Sequence, residues 1–144
     1  MTKLNVGCGP DYREGYVNID GNAGLPRVDV VATLPEETLL DHFEPGSVDE
    51  ILASDFIEHH SHWEAVKIMS DFYELLKSGG VLEMKLPDFQ AIISSWTKAP
   101  EMKIRMLFGG QDVPGERDSA VVLDARREHP EFFCHKYAYT RRSM

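Results

Sequence analysis

The stretch "LNVGCGP" at residues 4–10 places two glycines directly after a short apolar run near the start of the chain. Gly7 and Gly9 carry no Cβ, so the backbone can reverse sharply between them and a ligand can approach the main chain. A Gly-X-Gly pair also occurs in ordinary turns that end a strand. The segments that follow decide between these two interpretations.

Composition limits the classes of protein that the chain can belong to. Its 144 residues, of which 42% are hydrophobic, suffice for a single domain over residues 1–144 with its own core. The net charge of −9 repels polyanions, which makes nucleic acid an unlikely partner. Two cysteines without a repeated spacing are typical of a reduced protein, which predicts a cytoplasmic location. Neither an export signal nor an apolar run of about 20 residues is present, so we expect no membrane partner.

Short apolar runs alternate with helical patterns, which predicts an α/β fold. Strands are predicted at residues 4–7, 16–20, 28–34, 48–54 and 81–86. The fifth of these presents one charged face and ends at Pro87.

Two helices are predicted from apolar residues at helical spacing. The first covers residues 63–77, ends at the pair Gly79 and Gly80, and carries the stripe Val66, Met69, Tyr73 and Leu76. The second covers residues 88–98 with the stripe Phe89, Ile92, Ile93 and Trp96. A short helix is compatible with residues 102–110, and a long loop is predicted from Gln111 to Glu128.

The acid at the end of the second predicted strand gives the glycine turn a chemical meaning. In an open α/β sheet, ligands bind beyond the carboxyl ends of the strands, and Asp20 stands where a carboxylate accepts hydrogen bonds from ribose hydroxyls. It follows Gly7 more closely than the roughly 20 residues of a dinucleotide fold. This leaves no room for a long helix that would bind phosphate at its N-terminus. A ligand with ribose but without phosphate is favoured, and a nicotinamide-dependent oxidoreductase is the weaker alternative.

Four blocks of the sequence, in this order, resemble class I S-adenosyl-L-methionine (AdoMet)-dependent methyltransferases, in particular the small predicted methyltransferases of that class. The blocks are "LNVGCGP", "GYVNID", "SVDEILASDFIEHH" and "LLKSGGVLEMKLPD", and "FGGQ" and "CHKYAYT" are similar to segments beyond the family's core. The resemblance implies a Rossmann-like open parallel sheet in the order 3-2-1-4-5. It also leads us to expect that the family's usual final two strands are lacking.

The resemblance implies a set of residues that contact AdoMet. They are Gly7, Cys8, Gly9, Pro10, Asp20, Thr33, Leu34 and Ser54. The turn residues would offer backbone N–H groups to the cofactor's carboxylate, Asp20 would hold the ribose, and Ser54 would face the sulfonium. Thr33 stands where the family commonly has an acid that binds adenine, so a hydroxyl or the Leu34 backbone would take that role.

The implied reaction is methyl transfer to an oxygen or nitrogen of a small or saccharide-type acceptor, which a general base can assist. The candidates for this base are Asp55, Glu58, His59, Asp88 and His135, of which Asp55 and His135 are favoured as catalytic residues. An equally simple interpretation is that Asp55 and Glu58 only cap a helix that begins near His59. His59 and His62 would share a helix face, but zinc needs three or four ligands, so we expect no metal.

Two further hypotheses concern partners. Thr33, Asp55 and the early end of the chain suggest an AdoMet-binding subunit without catalytic activity as the alternative function. The fifth strand would expose an unpaired edge together with apolar side chains that need cover. That cover would come from Phe132, Phe133, Tyr137 and Tyr139, in the same chain or across a dimer. We therefore predict a homodimer.

Overall fold

A computed structural model describes residues 1–109 and 133–140, which contain a parallel five-stranded sheet in the order β3-β2-β1-β4-β5. The strands are β1 (Lys3–Val6), β2 (Val17–Asp20), β3 (Val30–Val31), β4 (Val48–Ser54) and β5 (Leu76–Lys85). The predicted α/β class and the strand order 3-2-1-4-5 are confirmed. The loop predicted at 111–128 and Phe132 lie outside the described residues.

The helices are α1 (His62–Leu75), α2 (Phe89–Ser94) and α3 (Pro100–Phe108), and short 3-10 turns occur at Leu39–Asp41 and Ile57–His59. In the part of the chain that the structure describes, none of them has the length and apolarity needed to cross a bilayer.

The start of α1 is fixed by Ser61 rather than by the acids proposed from the sequence. The Ser61 hydroxyl accepts from the Glu64 N–H at 3.4 Å, and the Glu64 carboxylate accepts from the Ser61 N–H at 2.6 Å, which forms a capping box. The interpretation that Asp55 and Glu58 cap this helix is therefore wrong. The carboxylates of these two residues are left for another role.

The face of α1 that packs on the sheet differs from the predicted stripe. The buried residues are Ala65, Ile68, Phe72 and Leu75, whereas Tyr73 of the predicted stripe is 83% exposed. Two adjacent apolar stripes with the same helical spacing run along this segment, and periodicity does not distinguish them. The sheet selects the stripe that begins at Ala65.

Several predicted boundaries are also wrong. The helix ends at Leu75 and passes directly into β5, so Gly79 and Gly80 do not stop a helix but lie within the strand, where its register with β4 shifts. The third strand is reduced to Val30–Val31, and α2 ends at Ser94, which leaves Trp96 outside the helix and exposed.

The register of the central strands positions the candidate site. The last residues of β1 are paired with the last part of both β2 and β4, so Gly7, Asp20 and Ser54 come side by side at the carboxyl edge of the sheet. Beneath them lies an apolar core that consists mainly of Leu4, Val6, Ile19, Ile51, Ala53, Ile68 and Phe72. Three chain segments distant in sequence therefore meet at one edge.

The segment 133–140 returns to this same edge. The Phe89 N–H donates to the Tyr139 carbonyl at 2.9 Å, and the Tyr139 side chain packs against the core. Part of the aromatic tail thus covers its own chain, beyond the end of β5. The homodimer stays a prediction.

Candidate functional site

A cavity of about 480 Å³ opens at the carboxyl edge of the sheet. Its wall contains all eight residues implied to contact the cofactor: Gly7, Cys8, Gly9, Pro10, Asp20, Thr33, Leu34 and Ser54. The volume lies within the roughly 300–1,000 Å³ of small-molecule sites. The structure thus brings together residues that the sequence separates by as many as three elements.

The two glycines of the turn serve different purposes. Both have left-handed backbone, with φ of 64° at Gly7 and 48° at Gly9. A Cβ at Gly7 would run into the ring of Phe56, whereas a Cβ at Gly9 would meet nothing within 4 Å. Gly7 is required by the packing of the protein itself, and Gly9 leaves space on the side of the cavity.

The backbone donors of the turn are already engaged. The Cys8 N–H donates to the Ile19 carbonyl at 3.0 Å, and the Gly9 N–H donates to the Asp20 carboxylate at 2.8 Å. The expectation that these N–H groups are free to meet a ligand carboxylate therefore does not fit the structure. They hold the turn against β2 instead.

Asp20 has a structural role in addition to the predicted one. One carboxylate oxygen accepts from Gly9 and the other accepts from the Asn22 N–H at 2.9 Å. Each oxygen of an ionised carboxylate has capacity for a second hydrogen bond, so ribose hydroxyls can still be bound. The acid therefore both braces the turn and faces the cavity.

Two buried asparagines hold the connection between β1 and β2, and the sequence analysis missed them. Asn5 and Asn18 are 3% and 0% exposed, and the Asn5 amide donates to the Asn18 side-chain oxygen at 2.9 Å. Asn18 also accepts from the Arg13 N–H at 2.9 Å, which ties the loop to the sheet. A polar residue in the middle of a buried strand was the available signal.

The wall next to β3 is closed by a histidine that the sequence analysis did not select. His60 Nε2 lies 3.1 Å from the Leu34 carbonyl, and burial lowers the pKa of this imidazole. The Thr33 N–H donates to the Glu37 carboxylate at 2.7 Å. The backbone groups at Thr33 and Leu34 are therefore partly engaged.

The end of β4 carries two unusual groups. The Ser54 hydroxyl is buried and has no hydrogen-bond partner among the described residues. Asp55 is exposed on the cavity wall and has a φ of 50°, which is uncommon for a residue other than glycine. Its N–H donates to the Lys85 carbonyl at 2.7 Å, which anchors it to β5. Such a conformation persists only where the surroundings determine it, and it is found more often at functional sites.

The structure separates the two residues favoured for catalysis. Asp55 lines the cavity, but His135 does not. His135 lies behind the wall, edge-on to the ring of His59 at 4.9 Å between centroids, and it is His59 that reaches the cavity. Asp88 lies outside the cavity, where its carboxylate caps α2 by accepting from the Ala91 N–H at 3.2 Å.

Burial changes the acidity of three groups near the cavity. It raises the pKa of Glu58 to about 7, with a smaller contribution from the charge of Asp55, and it lowers the pKa of His59 to about 4, with a smaller contribution from His135. His59 is therefore neutral at physiological pH. Burial, together with the nearby charge of Asp20, raises the pKa of Cys8 to about 12, so its thiol stays protonated and is no nucleophile.

The charge of the wall suits a cationic ligand. Five carboxylates line it: Asp11, Asp20, Glu36, Asp55 and Glu64. Lys136 is the one lysine or arginine on the wall in the part of the chain that the structure describes, and it lies 4.0 Å from Glu64. Among such surroundings a positively charged group is attracted and a polyanion is repelled. Lys136 and its neighbour on the wall, Phe133, were also missed from the sequence, since only the return of the tail brings them here.

Comparison with known proteins identifies the fold. No family model and no curated protein matches the chain. A structure described as a "Putative Type II Methyltransferase" from Anaeromyxobacter dehalogenans is similar at 18% identity and a TM-score of 0.43, over 90% of this chain and 57% of that one. A SAM-dependent methyltransferase from Archaeoglobus fulgidus is similar at 15% identity and a TM-score of 0.51, over 93% of this chain and 81% of that one. The fold is that of class I AdoMet-dependent methyltransferases.

Proposed function

We propose that this protein binds AdoMet and transfers its methyl group to an oxygen or nitrogen of a small or saccharide-type acceptor. The observation that carries the proposal is the single cavity that joins the glycine turn, Asp20, Thr33 and Ser54 at the carboxyl edge of a sheet with methyltransferase strand order. Ligands of open α/β sheets bind at this edge.

The described residues fit AdoMet in four respects. The carboxylate of Asp20 retains acceptor capacity for the ribose hydroxyls. The open space at Gly9 leaves room for the amino-acid end of the cofactor, and the buried Ser54 hydroxyl lacks a partner that a bound ligand would supply. The acidic wall favours the positive sulfonium.

A dinucleotide fits less well. The connection from Cys8 to Tyr16 forms a loop that Asn5 and Asn18 hold by hydrogen bonds, and it contains no helix. A pyrophosphate would therefore find no helix N-terminus at this turn. This supports AdoMet over a nicotinamide cofactor.

Bound AdoMet supplies an electrophilic methyl group on a sulfonium sulfur. The protein's task is to hold the acceptor in line with that methyl group and to exclude competing nucleophiles, which by itself lowers the barrier. Asp55 lines the cavity and is exposed at the end of β4, so we favour its carboxylate as the group that takes the proton of a hydroxyl acceptor. His135 does not line this cavity, so we assign it no direct contact with the acceptor.

The acceptor class rests on the family resemblance, and the charge of the wall supports it. Neutral sugars or amines can approach five carboxylates, whereas nucleic acid or a phosphorylated polymer is repelled. We accordingly favour an uncharged acceptor hydroxyl or amine.

The test is acceptor-dependent formation of S-adenosylhomocysteine, measured by mass spectrometry with AdoMet and a panel of sugars and small amines. We expect at least one acceptor to raise product formation, and we expect Asp55→Asn to lower kcat about 100-fold while AdoMet affinity falls by about 10-fold or less. Asp88→Asn, whose side chain lies outside the cavity, is the matched control. AdoMet binding without turnover on any acceptor would instead support a silent AdoMet-binding subunit.

A further inference from the structure

Glu58, His59 and His135 form a compact group between the large cavity and the returning tail. A carboxylate oxygen of Glu58 and one ring nitrogen of each histidine all lie within 4.8 Å of one another. His59 also lines the large cavity, whereas Glu58 and His135 line a second cavity of about 10 Å³. A space of this size is about that of one water-sized sphere.

Glu58 is a buried acid whose carboxylate has no hydrogen-bond partner in the described part of the chain. Its side chain is 2% exposed, and neither carboxylate oxygen has a hydrogen bond among the described residues. The backbone carbonyl of Glu58, in contrast, has a hydrogen bond, because it accepts from the Lys136 N–H at 2.7 Å. Burying a carboxylate is costly unless a cation or a set of donors accompanies it. The carboxylate is thus placed for a ligand that residues 1–109 and 133–140 do not provide.

Both imidazoles are oriented by a contact between Nδ1 and a backbone carbonyl. His59 Nδ1 lies 3.0 Å from the Cys134 carbonyl, and His135 Nδ1 lies 3.2 Å from the Leu107 carbonyl. A carbonyl oxygen only accepts, so each Nδ1 carries the proton and each Nε2 keeps its lone pair. Histidines that ligate metals are held in this way by a backbone carbonyl or carboxylate.

We propose that Glu58, His59 and His135 bind one divalent first-row transition metal ion. Two neutral imidazoles and a carboxylate are ligands for zinc or iron(II) rather than for magnesium or calcium. Metal bonds of roughly 2.0–2.2 Å place such ligand atoms about 3–4 Å apart, so side-chain shifts of about 1 Å or less close the observed arrangement. This set differs from the pair His59 and His62 that the sequence suggested, because His62 is exposed in α1.

Three protein ligands leave coordination positions open, which is the pattern of catalytic rather than structural sites. His59 connects the site to the large cavity. If the proposed function holds, an acceptor hydroxyl bound to the metal would lose its proton more easily, and Asp55 would not be the sole group that activates it. This role rests on the proposed function, but metal binding itself does not.

The test is titration of Zn²⁺ and Co²⁺ into the full chain after treatment with a chelator and without a polyhistidine tag. We expect one equivalent of each ion to bind, with the visible absorption of ligated Co²⁺ and an increase in Tm. Glu58→Gln and His135→Ala should each weaken binding by more than about 100-fold. His62→Ala is the matched control, because it also removes one histidine. It should bind both ions as the wild type does.

Less than one equivalent bound by the wild type would overturn the proposal, as would cluster variants that bind both ions as the wild type does. Glu58→Gln guards against a folding artefact, because its metal-free Tm is expected to equal or exceed that of the wild type. AdoMet binding is measured in a separate titration in the presence of chelator. Metal binding without AdoMet binding would overturn the proposed function alone, and the reverse would overturn this site alone.

Discussion

The polar groups in and behind the two sides of the cavity are satisfied in opposite ways. On the β1–β2 side, the buried amides of Asn5 and Asn18 and the carboxylate of Asp20 are all engaged with neighbouring backbone or side chains. On the β4 side, the Ser54 hydroxyl and both oxygens of Glu58 have no partner among residues 1–109 and 133–140. Because unpartnered buried groups are rare in stable proteins, we infer that the first side is a preformed scaffold and propose that ligands complete the second.

Replacing Asn18 on the β1–β2 side should lower the stability of the protein more than the other substitutions below. Its amide accepts from Asn5 and the Arg13 N–H and donates to Asp29 at 3.1 Å, in a site that is 0% exposed. Asn18→Leu should lower the free energy of unfolding by about 3 kcal/mol or more, because several buried groups lose a partner together. Urea denaturation measures the change. Asn22→Ala, in a more exposed turn, should cost less than about 1 kcal/mol, and equal losses in both variants would refute the scaffold interpretation.

The two glycines sharpen the same comparison at a single turn. Gly7→Ala should cost about 2–3 kcal/mol, since left-handed backbone strain adds to displacement of the Phe56 ring. Gly9→Ala should cost about 1 kcal/mol of unfolding free energy, because only the backbone term applies there. The two losses should be about equal if the left-handed backbone of the turn, rather than the contact of Gly7 with Phe56, determines stability. Thermal unfolding of both variants under identical conditions decides between these results.

On the β4 side, where buried polar groups have no partner, a substitution should stabilise the protein. In chelator at neutral pH, Glu58→Gln should raise the free energy of unfolding by about 1–2 kcal/mol, because a neutral amide is less costly to bury than a carboxylate without a partner. Glu64→Gln is the matched control, and we expect it to change the free energy of unfolding in the opposite direction. It weakens the capping box with Ser61 and should lower stability by about 0.5–1 kcal/mol. A destabilised Glu58→Gln variant would show that the carboxylate has partners within the protein.

Much of the fold was predictable because local signals agreed with one another. Strand β4 was predicted with its observed bounds, and the glycine turn, the acid at Asp20 and the end of β4 were placed in the correct order along the sheet. Parallel strands bring their carboxyl ends to one edge, so a correct order was sufficient to bring the cofactor residues together.

The errors arise where tertiary contacts choose among equivalent local patterns. Tyr73 and Phe72 are adjacent and both apolar, and only packing on the sheet determines which is buried. Asp55, Glu58 and Ser61 are all residue types that can cap a helix. The path of the chain after Asp55 places Ser61 at the start of α1. The position of His135 depends on contacts between the tail and α3, such as the donation of its N–H to the Phe108 carbonyl at 3.3 Å, which no local pattern encodes.

The most direct test of the account is calorimetric titration of AdoMet, S-adenosylhomocysteine and NAD into the wild type and two Asp20 variants. AdoMet or its product should bind with one equivalent and a Kd on the order of micromolar, and NAD should not bind measurably. Asp20→Asn keeps an acceptor for the Gly9 N–H and should weaken AdoMet binding about 10-fold, whereas Asp20→Ala should lose on the order of 1.5–3 kcal/mol. No binding of either AdoMet or its product to the wild type, or unchanged affinity in both variants, would contradict the assignment of this cavity.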